Sequence, residues 1–267
     1  MVHEHDLEGL ALRVSEVVRS VAAQIARAYG TVSEGEIETK SRNSLVSHVD
    51  KEAEQALVAG LHGILPDAAF LTEEETVDQS QARERWIIDP LDGTTNFLHG
   101  LPFFAISVAL EREGDLVLGV VHEVSRGEHF VAWQGGGTWL NGVRVKVSDH
   151  TELGDCLIAT GFPYYDYQRM DAYIEVLKQF MLLTRGVRRL GSAALDLAYV
   201  ACGRFDAYYE YALQPWDVAG GIVLVREAGG IVSDFAGDRK GGDQGKEILA
   251  ANPDIHPLAQ SEIIAYF

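Results

Sequence analysis

Apolar residues in the first quarter of the chain recur at three- and four-residue steps, which is the spacing of amphipathic helices. One run predicts a helix from about Leu7 to Ala28, with Gly30 closing it. A second run predicts a helix that follows Asp50 and ends at Pro66, with Asp50 as its N-cap residue. The polar residues 31–44 lie between these runs and predict a surface loop or a short hairpin, which could serve as a lid.

From residue 69 to residue 147 the pattern changes to short β-rich runs. A short strand is predicted from Ala69, and the apolar residues Trp86 to Ile88 predict a buried strand. Four further runs predict antiparallel strands: Phe104 to Leu110, Leu116 to His122, His129 to Trp133 and Val143 to Val147. Asn141-Gly142 is typical of a tight hairpin turn.

The second half of the chain alternates helical and strand patterns. Helices are predicted from Met170 to Met181, Ser192 to Cys202 and Pro215 to Ala228, and a last helix ends the chain. Strands are predicted from Val187 to Leu190, Asp206 to Tyr211, Ile231 to Ser233 and Ile248 to Ala251. The pattern therefore predicts an α+β first half with an antiparallel sheet and an α/β second half with a mixed sheet.

The charge balance limits the classes of partner. The 267 residues include 40 acids and 22 bases, which gives a formal net charge of -18. This charge repels phosphodiester backbones and anionic membrane surfaces, so we expect no direct nucleic-acid binding and no membrane binding. No apolar run has the length of a membrane span, and Cys156 and Cys202 lack paired ligand spacing. We therefore expect a cytoplasmic protein with two reduced thiols.

Two carboxylates follow the predicted buried strand, three residues apart. Pro90 holds the preceding Asp89 in an extended conformation, so the chain is predicted to turn here rather than to form a helix. Asp89, Asp92 and the Leu91 carbonyl could then converge on one point, and hard oxygen ligands suit Mg²⁺. Gly93 permits close backbone approach before a short predicted helix, whose first residues could bind phosphate oxygens. An ordinary turn has the same composition, so this stretch alone leaves both interpretations open.

Further acids occur at similar places, and each has a structural alternative. Glu73, Glu74 and Glu75 follow the strand that begins at Ala69, where consecutive acids often form a solvated turn. Asp217 lies in the first turn of a helix, where the helix dipole favours an acid.

Four of these carboxylates, at strand ends or a helix start where α/β folds gather ligands, support a common site: Glu73, Asp89, Asp92 and Asp217. Their number suits a pair of Mg²⁺ ions roughly 4 Å apart, which can activate a water and neutralise the leaving alkoxide of a phosphate monoester. An acidic chain that acts on an anionic substrate also needs such cations.

The sequence resembles the inositol monophosphatase family of Mg²⁺-dependent, lithium-sensitive phosphatases. Trp86 to Phe97 matches the family's first signature, Asp-Pro-hydrophobic-Asp-Gly-Thr, and Trp216 to Gly221 matches its second. The signatures have the expected order and separation, and the similarity covers nearly the whole chain. The resemblance implies a layered αβαβα sandwich, a single domain of residues 1–267 with packed halves of about 1–150 and 151–267, and a homodimer.

The resemblance also implies the metal ligands, with two or three Mg²⁺ in each active site. Glu73, Asp89 and the Leu91 carbonyl would hold the activating metal, and Asp89, Asp92 and Asp217 would hold the second. Glu74 is a further candidate, for support of a weaker metal site. Lys40 corresponds to the lysine that the family places near the metals on a mobile loop.

The same resemblance implies the catalytic and substrate-binding residues. Thr94, backed by Asp50, would orient the nucleophilic water, which Glu73 also helps to place. The substrate-binding residues would be Leu91, Asp92, Gly93, Thr94, Gly191, Ser192, Ala193, Glu210 and Asp217.

The implied function is a metal-dependent phosphomonoesterase that hydrolyses myo-inositol 1-phosphate or a related polyol or sugar phosphate by direct attack of a metal-activated water. Fructose-1,6-bisphosphate, histidinol phosphate, the 2'-phosphate of NADP and adenosine 3',5'-bisphosphate are alternative substrates within the same chemistry. Glu210 favours a neutral polyol, because a carboxylate would repel a second phosphate. A non-enzymatic regulatory role through a protein partner is the alternative from a different class, since some bacterial relatives bind transcription machinery.

Overall fold

The computed structural model describes residues 6–32, 35, 37–41, 44–79, 82–163 and 166–267, and only the backbone of residues 37–41, 44 and 45. Within these ranges the helices are α1 (Leu7–Ala28), α2 (His48–His62), α3 (Thr94–Leu98), α4 (Met170–Leu183), α5 (Ala193–Ala201), α6 (Pro215–Glu227) and α7 (Ile255–Ile264). The strands are β1 (Ile37–Ser41), β2 (Ser44–Ser47), β3 (Ala69–Thr72), β4 (Glu84–Asp92), β5 (Ala105–Arg112), β6 (Asp115–Glu123), β7 (Glu128–Trp133), β8 (Gly137–Leu140), β9 (Val143–Val145), β10 (Leu157–Thr160), β11 (Gly186–Arg188), β12 (Ala207–Tyr211), β13 (Ile231–Ser233) and β14 (Glu247–Ala251).

The first half of the chain forms a large sheet with the strand order β3-β4-β5-β6-β7-β8-β9, and a separate hairpin of β1 and β2 precedes it. Every neighbouring pair in the large sheet is antiparallel except β3 and β4, which are parallel. Asn141 and Gly142 join β8 to β9 with φ angles of 48° and 80°, as a tight hairpin turn requires. The predicted antiparallel first half is thus confirmed, apart from one parallel edge pair.

The second half forms a smaller mixed sheet with the strand order β11-β10-β12-β14-β13. The pairs of β10 with β11 and with β12 are parallel, whereas β14 is antiparallel to both β12 and β13. Side chains alternate between the faces of this sheet. On β12, Tyr208 therefore packs in the central layer of the molecule, whereas Tyr209 and Tyr211 pack against the outer helices.

Three apolar clusters show how the layers are stacked. The first joins α1 and α2 to one face of the large sheet, through residues such as Val14, Leu57 and Trp86. The second joins α5 and α6 to the inner faces of both sheets, and the third joins α4 and α7 to the outer face of the smaller sheet. The order is helices, sheet, helices, sheet, helices, so the predicted αβαβα layering is confirmed. In the described ranges, no helix combines the length and apolar character needed to cross a membrane.

Two local predictions were wrong. The strand β4 does not turn at Pro90 but continues to Asp92, because a one-residue irregularity in its pairing with β5 accommodates the proline. The N-cap of α2 is Ser47 rather than Asp50. Asp50 instead occupies the third helical position and accepts a hydrogen bond from the Ser47 backbone N–H, since the two residues form a capping box.

The sequence pattern also missed two strands. β8 begins at the last of the three glycines at residues 135–137, which were interpreted as a turn, and β10 is only four residues long. The helix predicted from Leu7 to Ala28 has the observed bounds. The loop or short hairpin predicted for residues 31–44 is a hairpin, but its second strand, β2, extends beyond that range to Ser47. Cys156 and Cys202 are free thiols, as expected.

Glycines set the distance between α6 and the large sheet. A Cβ atom on Gly119 of β6 would lie 2.4 Å from the carbonyl oxygen of Gly220 in α6, and a Cβ on Gly220 would lie 2.7 Å from Ser107 Oγ. The backbones of β6 and α6 therefore approach too closely for a residue with a side chain to replace either glycine. This contact fixes the height of α6, whose first turn carries Asp217, above the sheet that carries Asp89 and Asp92.

We expect Gly119→Ala to lower the free energy of unfolding by about 1–3 kcal/mol, because the added methyl group must push α6 away from the sheet. Chemical denaturation measures this change. Gly154→Ala is the matched control, since a Cβ atom there meets nothing within 4 Å, and it should stay within about 1 kcal/mol of wild type. Equal stabilities for the two variants would contradict the proposed close approach.

Candidate active site

The predicted acids are brought together at one pocket. Glu73, Asp89, Asp92 and Asp217 all line it. Glu73 follows β3, and its backbone N–H donates to the Ile88 carbonyl of the neighbouring strand, so Glu73 lies alongside Asp89. Asp217 comes from the start of α6 in the central helical layer. Residues up to 144 positions apart in sequence thus share one pocket between the two sheets.

The irregularity in β4 explains how two acids three residues apart reach the same side. In a regular strand, residues three apart point to opposite faces. Here Asp89 pairs with Ser107 and Asp92 pairs with Ala105, so three steps on β4 match two steps on β5. Because of this extra residue, both carboxylates point to the same side of the sheet. The Leu91 backbone N–H donates to Asp89 Oδ1 at 2.9 Å and stabilises this local shape.

Gly93 and Thr94 continue the site directly after β4. Gly93 has a φ of 92°, and a Cβ there would lie 3.0 Å from the Phe103 carbonyl oxygen, so the position requires glycine. Thr94 begins α3, and its Oγ1 lies 2.8 Å from Asp50 Oδ1 and 2.9 Å from the Leu91 carbonyl oxygen. Asp50 is thereby in contact with Thr94, as the resemblance implied. Its other oxygen, Oδ2, accepts hydrogen bonds from Ser47.

Asp92 connects the first signature to the residues expected to bind substrate. Its Oδ2 accepts hydrogen bonds from Ser192 Oγ at 2.6 Å and from the Ala194 backbone N–H at 2.7 Å. Nearby, Asn96 Nδ2 donates to the carbonyl oxygens of Phe103 and Leu190, at 2.8 and 2.9 Å. These bonds hold the start of α5 against β4 and α3, which explains why two distant segments share one wall of the pocket.

A buried glutamate that the sequence interpretation overlooked holds the Glu73 turn. Glu54 on α2 is fully buried, and its Oε1 accepts from Thr72 Oγ1 at 2.9 Å and from the Thr76 backbone N–H at 2.7 Å. Its Oε2 accepts from the Glu74 backbone N–H at 2.7 Å. The three acids therefore lie on a turn fixed by Glu54 rather than on a freely solvated one. The sequence did contain a signal that Glu54 is buried, because Glu54 shares a helix face with the apolar Leu57.

The carboxylates repel one another electrostatically. Burial raises the pKa of Asp89 well above its ordinary value, and the charges of Glu73, Asp92 and Asp217 raise it further. Burial also raises the pKa of Asp92 to about 6, against hydrogen bonds from Ser192 and Ala194 that lower it. The pKa of Asp217 is raised well above its ordinary value by burial, then by Glu73 and Asp92. Ionising all of these groups together costs free energy that nearby positive charge would offset.

The oxygen atoms of the pocket are suitable ligands for a hard divalent cation. Carboxylates and a backbone carbonyl are the oxygen ligands that Mg²⁺ prefers. Hydrogen bonds orient one oxygen of each aspartate: Asp89 Oδ1, Asp92 Oδ2 and Asp217 Oδ2. In the described part of the chain, however, no three His, Cys, Asp or Glu side chains already form a group that could hold a metal. The pocket therefore gathers suitable ligands and high negative charge without showing a closed coordination shell.

Glu210 on β12 also lines the pocket, and it lies on the same strand face as Tyr208. The Tyr208 hydroxyl donates to Glu210 Oε2 at 2.6 Å. Burial raises the pKa of Glu210 to about 7, while the Tyr208 hydrogen bond and the charge of Arg189 lower it. A Cβ atom on Gly161 would lie 1.9 Å from Glu210 Oε2, so this glycine makes room for the carboxylate.

The structure places most of the predicted site residues around one pocket. The predicted residues that line it are Glu73, Asp89, Leu91, Asp92, Gly93, Thr94, Gly191, Ser192, Ala193, Glu210 and Asp217. Asp50 contributes through Thr94, and Glu74 binds Glu54 through its backbone. Lys40 lies on β1, but its side chain is outside the described residues. Arg189 and Asp196 also line the pocket and were not predicted, although a charged residue within the apolar α5 was an available signal.

Comparisons with known proteins agree with this geometry. A model described as the inositol monophosphatase family matches residues 6–267. The putative Nus factor SuhB of Neisseria meningitidis serogroup B is 44% identical over 246 residues, which are 92% of this chain and 93% of that protein. The inositol-1-monophosphatase of Mesorhizobium japonicum is 42% identical over 232 residues, which are 86% of this chain and 87% of that protein.

A solved structure also matches over most of its length. The crystal structure of extragenic suppressor protein suhB from Bartonella henselae has a TM-score of 0.90 and 39% identity, covering 96% of this chain and 98% of that one. The family match, the layered fold and the pocket formed by both signature segments lead to the same conclusion. The chain belongs to the inositol monophosphatase family, whose members are generally metal-dependent phosphatases.

Proposed function

We propose that the protein hydrolyses myo-inositol 1-phosphate, or a closely related polyol phosphate, with Mg²⁺ as the cofactor. The observation that carries this proposal is the pocket in which Asp89, Asp92 and Asp217 face Glu73 and raise one another's pKa values. Such a charge excess would bind divalent cations, and an anionic phosphate could enter only alongside them. The 42% identity to an inositol-1-monophosphatase supports the same reaction.

The proposed metal ligands are Glu73, Asp89, the Leu91 carbonyl, Asp92 and Asp217, which would together hold two Mg²⁺ ions. Glu74 is proposed to support a third, weaker site from the same turn. When bound, Mg²⁺ lowers the pKa of a coordinated water and stabilises the negative charge of the leaving alkoxide. The Glu54 hydrogen bonds hold the Glu73 turn in place, and the β4 irregularity orients Asp89 and Asp92 to the same side.

Thr94 and Asp50 are proposed to orient the attacking water. The Thr94 hydroxyl donates to Asp50 Oδ1 at 2.8 Å, which leaves a lone pair on Thr94 Oγ1 to accept a proton from water. Asp50 is fixed in turn by its two hydrogen bonds from Ser47. Gly93 and Thr94 both line the pocket, and their backbone N–H groups are proposed to bind the phosphate oxygens.

The substrate end is proposed to bind a neutral polyol. Gly191, Ser192 and Ala193 would contact its hydroxyl groups, and the Glu210 carboxylate would accept a hydrogen bond from one of them. A second phosphate at this end would meet the negative charge of Glu210, which disfavours bisphosphate substrates.

We also propose that the protein is a cytoplasmic homodimer. The free thiols of Cys156 and Cys202 fit a reducing compartment. For the dimer, α4 exposes Met181 and Leu182, at 64% and 80%, close to the edge strand β11. Exposed apolar residues beside an open strand edge are typical of a surface that a second copy covers.

The direct test of the proposed reaction is a phosphate-release panel with purified protein. We expect Mg²⁺-dependent turnover of myo-inositol 1-phosphate that exceeds turnover of fructose-1,6-bisphosphate, histidinol phosphate, NADP and adenosine 3',5'-bisphosphate. Chelation of the metal should abolish it, and Li⁺ should inhibit it. Absence of Mg²⁺-dependent release from every polyol and sugar phosphate would refute the proposed function.

Asp89→Asn tests the role of charge in the pocket. Loss of one ligand should reduce turnover at least about 100-fold. In the metal-free protein at pH 7 the free energy of unfolding of the variant should exceed that of wild type by about 1 kcal/mol or more. The sign follows from the raised pKa of Asp89 in the folded protein. At any pH above the pKa of Asp89 in the unfolded chain, ionisation of Asp89 is less favourable in the folded state and lowers its stability, whereas Asn carries no charge.

The contrasting control for this variant is Asp243→Asn, which breaks the ion pair between Asp243 and Arg226 outside the pocket. It should lower stability and keep turnover near wild type. Near-normal activity of Asp89→Asn would show that Asp89 is not a metal ligand.

A regulatory role is the second candidate, because a 44% identical relative is named a putative Nus factor. Asp92→Asn distinguishes the two functions in a strain that lacks the protein. If catalysis is the cellular role, the variant should fail to restore the wild-type phenotype while accumulating to normal levels. Full restoration by this variant would instead support a binding role.

A further inference from the structure

Asp196 is an unusual residue in the middle of a buried helix. Every residue of α5 from Ala193 to Ala201 is buried, and Asp196 is 1% exposed. Its Oδ1 is buried without a hydrogen-bond partner among the described residues. A buried carboxylate oxygen without a donor costs free energy, so packing alone gives no reason for an acid at this position. An apolar residue of similar size would stabilise the helix better.

The position of Asp196 relates it to the pocket. Asp196 lines the same pocket as Glu210 and the metal-binding acids. Burial raises its pKa well above the ordinary value, the charges of Glu210 and Asp92 raise it further, and the charge of Arg189 lowers it. Asp196 is therefore close enough to both Glu210 and Asp92 for their charges to act on it.

The surrounding charges indicate which chemical group Asp196 can receive. Arg189 lines the pocket and lowers the pKa of both Asp196 and Glu210. The charge of one guanidinium is therefore shared between two carboxylates. A substrate ammonium group would lie beside this guanidinium, whose repulsion offsets part of the attraction of the two carboxylates. A second phosphate would be repelled by the two carboxylates. A neutral hydroxyl group avoids both costs and supplies the missing hydrogen-bond donor.

We propose that Asp196 is a specificity-determining residue whose carboxylate accepts a hydrogen bond from one hydroxyl group of the substrate's polyol, while Glu210 accepts from another. This inference rests on the proposed function. Two acceptors on separate elements, α5 and β12, select substrates that carry at least two correctly placed hydroxyl groups. Esters that offer only a phosphate and a leaving group gain nothing from Asp196.

The test compares Asp196→Asn with wild type on two substrates. For myo-inositol 1-phosphate the KM should rise about tenfold, since a hydrogen bond to a charged carboxylate is replaced by a weaker one to a neutral amide oxygen, while kcat changes less than about twofold. For p-nitrophenyl phosphate, which has no hydroxyl group, KM should stay within about twofold of wild type. An equal rise for both substrates, or no rise for either, would overturn the proposal.

The matched control is Asp206→Asn. Asp206 is also buried, at 4% exposure, but it pairs with His150 and the Leu157 backbone N–H away from the pocket. This variant should leave both KM values unchanged. A larger KM increase for histidinol phosphate than for the polyol in Asp196→Asn would show that the partner is an ammonium group, which would also overturn the proposal.

A second measurement keeps the proposal testable if Asp196→Asn fails to fold. Monodeoxy analogues of inositol 1-phosphate are assayed with wild type and with Glu210→Gln. The proposal requires that Glu210→Gln retain the KM penalty for at least one missing hydroxyl group. Disappearance of every such penalty leaves no role for Asp196 and overturns the inference. Wild-type turnover of myo-inositol 1-phosphate reports separately on the proposed function, and if it fails, the best polyhydroxy phosphate of the panel replaces it.

Discussion

Electrostatic repulsion among buried carboxylates is the constraint on which the site depends. Asp89, Asp92 and Asp217 are held near Glu73 by separate elements, and burial and mutual charge raise the pKa of each aspartate. A folded chain tolerates such an arrangement only because apolar layers on both sides stabilise it. The excess of negative charge is therefore maintained by the scaffold, and it creates the demand for a cation that a phosphatase of this family satisfies with metal.

The scaffold satisfies this constraint by placing several chain segments within one central layer. The irregularity in β4 turns Asp89 and Asp92 to the same side, and the glycine contact between Gly119 and Gly220 sets the height of α6. Asp92 then anchors the start of α5 through Ser192 and Ala194. In each case a hydrogen bond or a missing side chain fixes a distance that apolar packing alone would leave adjustable. Precision at the site thus comes from local polar geometry within a layered apolar frame.

The sequence predicted most of the elements because their patterns are long or strongly periodic. The helix at residues 7–28 and the strands near Phe104, Leu116 and His129 follow directly from hydrophobic spacing. The sequence could not reveal the path of β4 beyond Pro90, because the bulge depends on pairing with β5. It also could not show that Glu54 accepts hydrogen bonds from the Glu73 turn, since those partners are 18 to 22 residues away. The acids themselves were recognisable from the signatures, whereas their mutual distances were not.

Charge also explains why the pocket would have two functionally different ends. The proposed metal end would require surplus negative charge, and Glu210 and Asp196 add to that surplus in the same pocket, where Arg189 offsets part of it. A phosphate is acceptable only where divalent cations are held, so a substrate with one phosphate has one orientation in which its charge is matched. Its remaining groups must then be neutral donors, because the carboxylates there outnumber the Arg189 guanidinium. Orientation and selectivity for a polyol monophosphate would therefore arise from the same gradient of charge along the pocket.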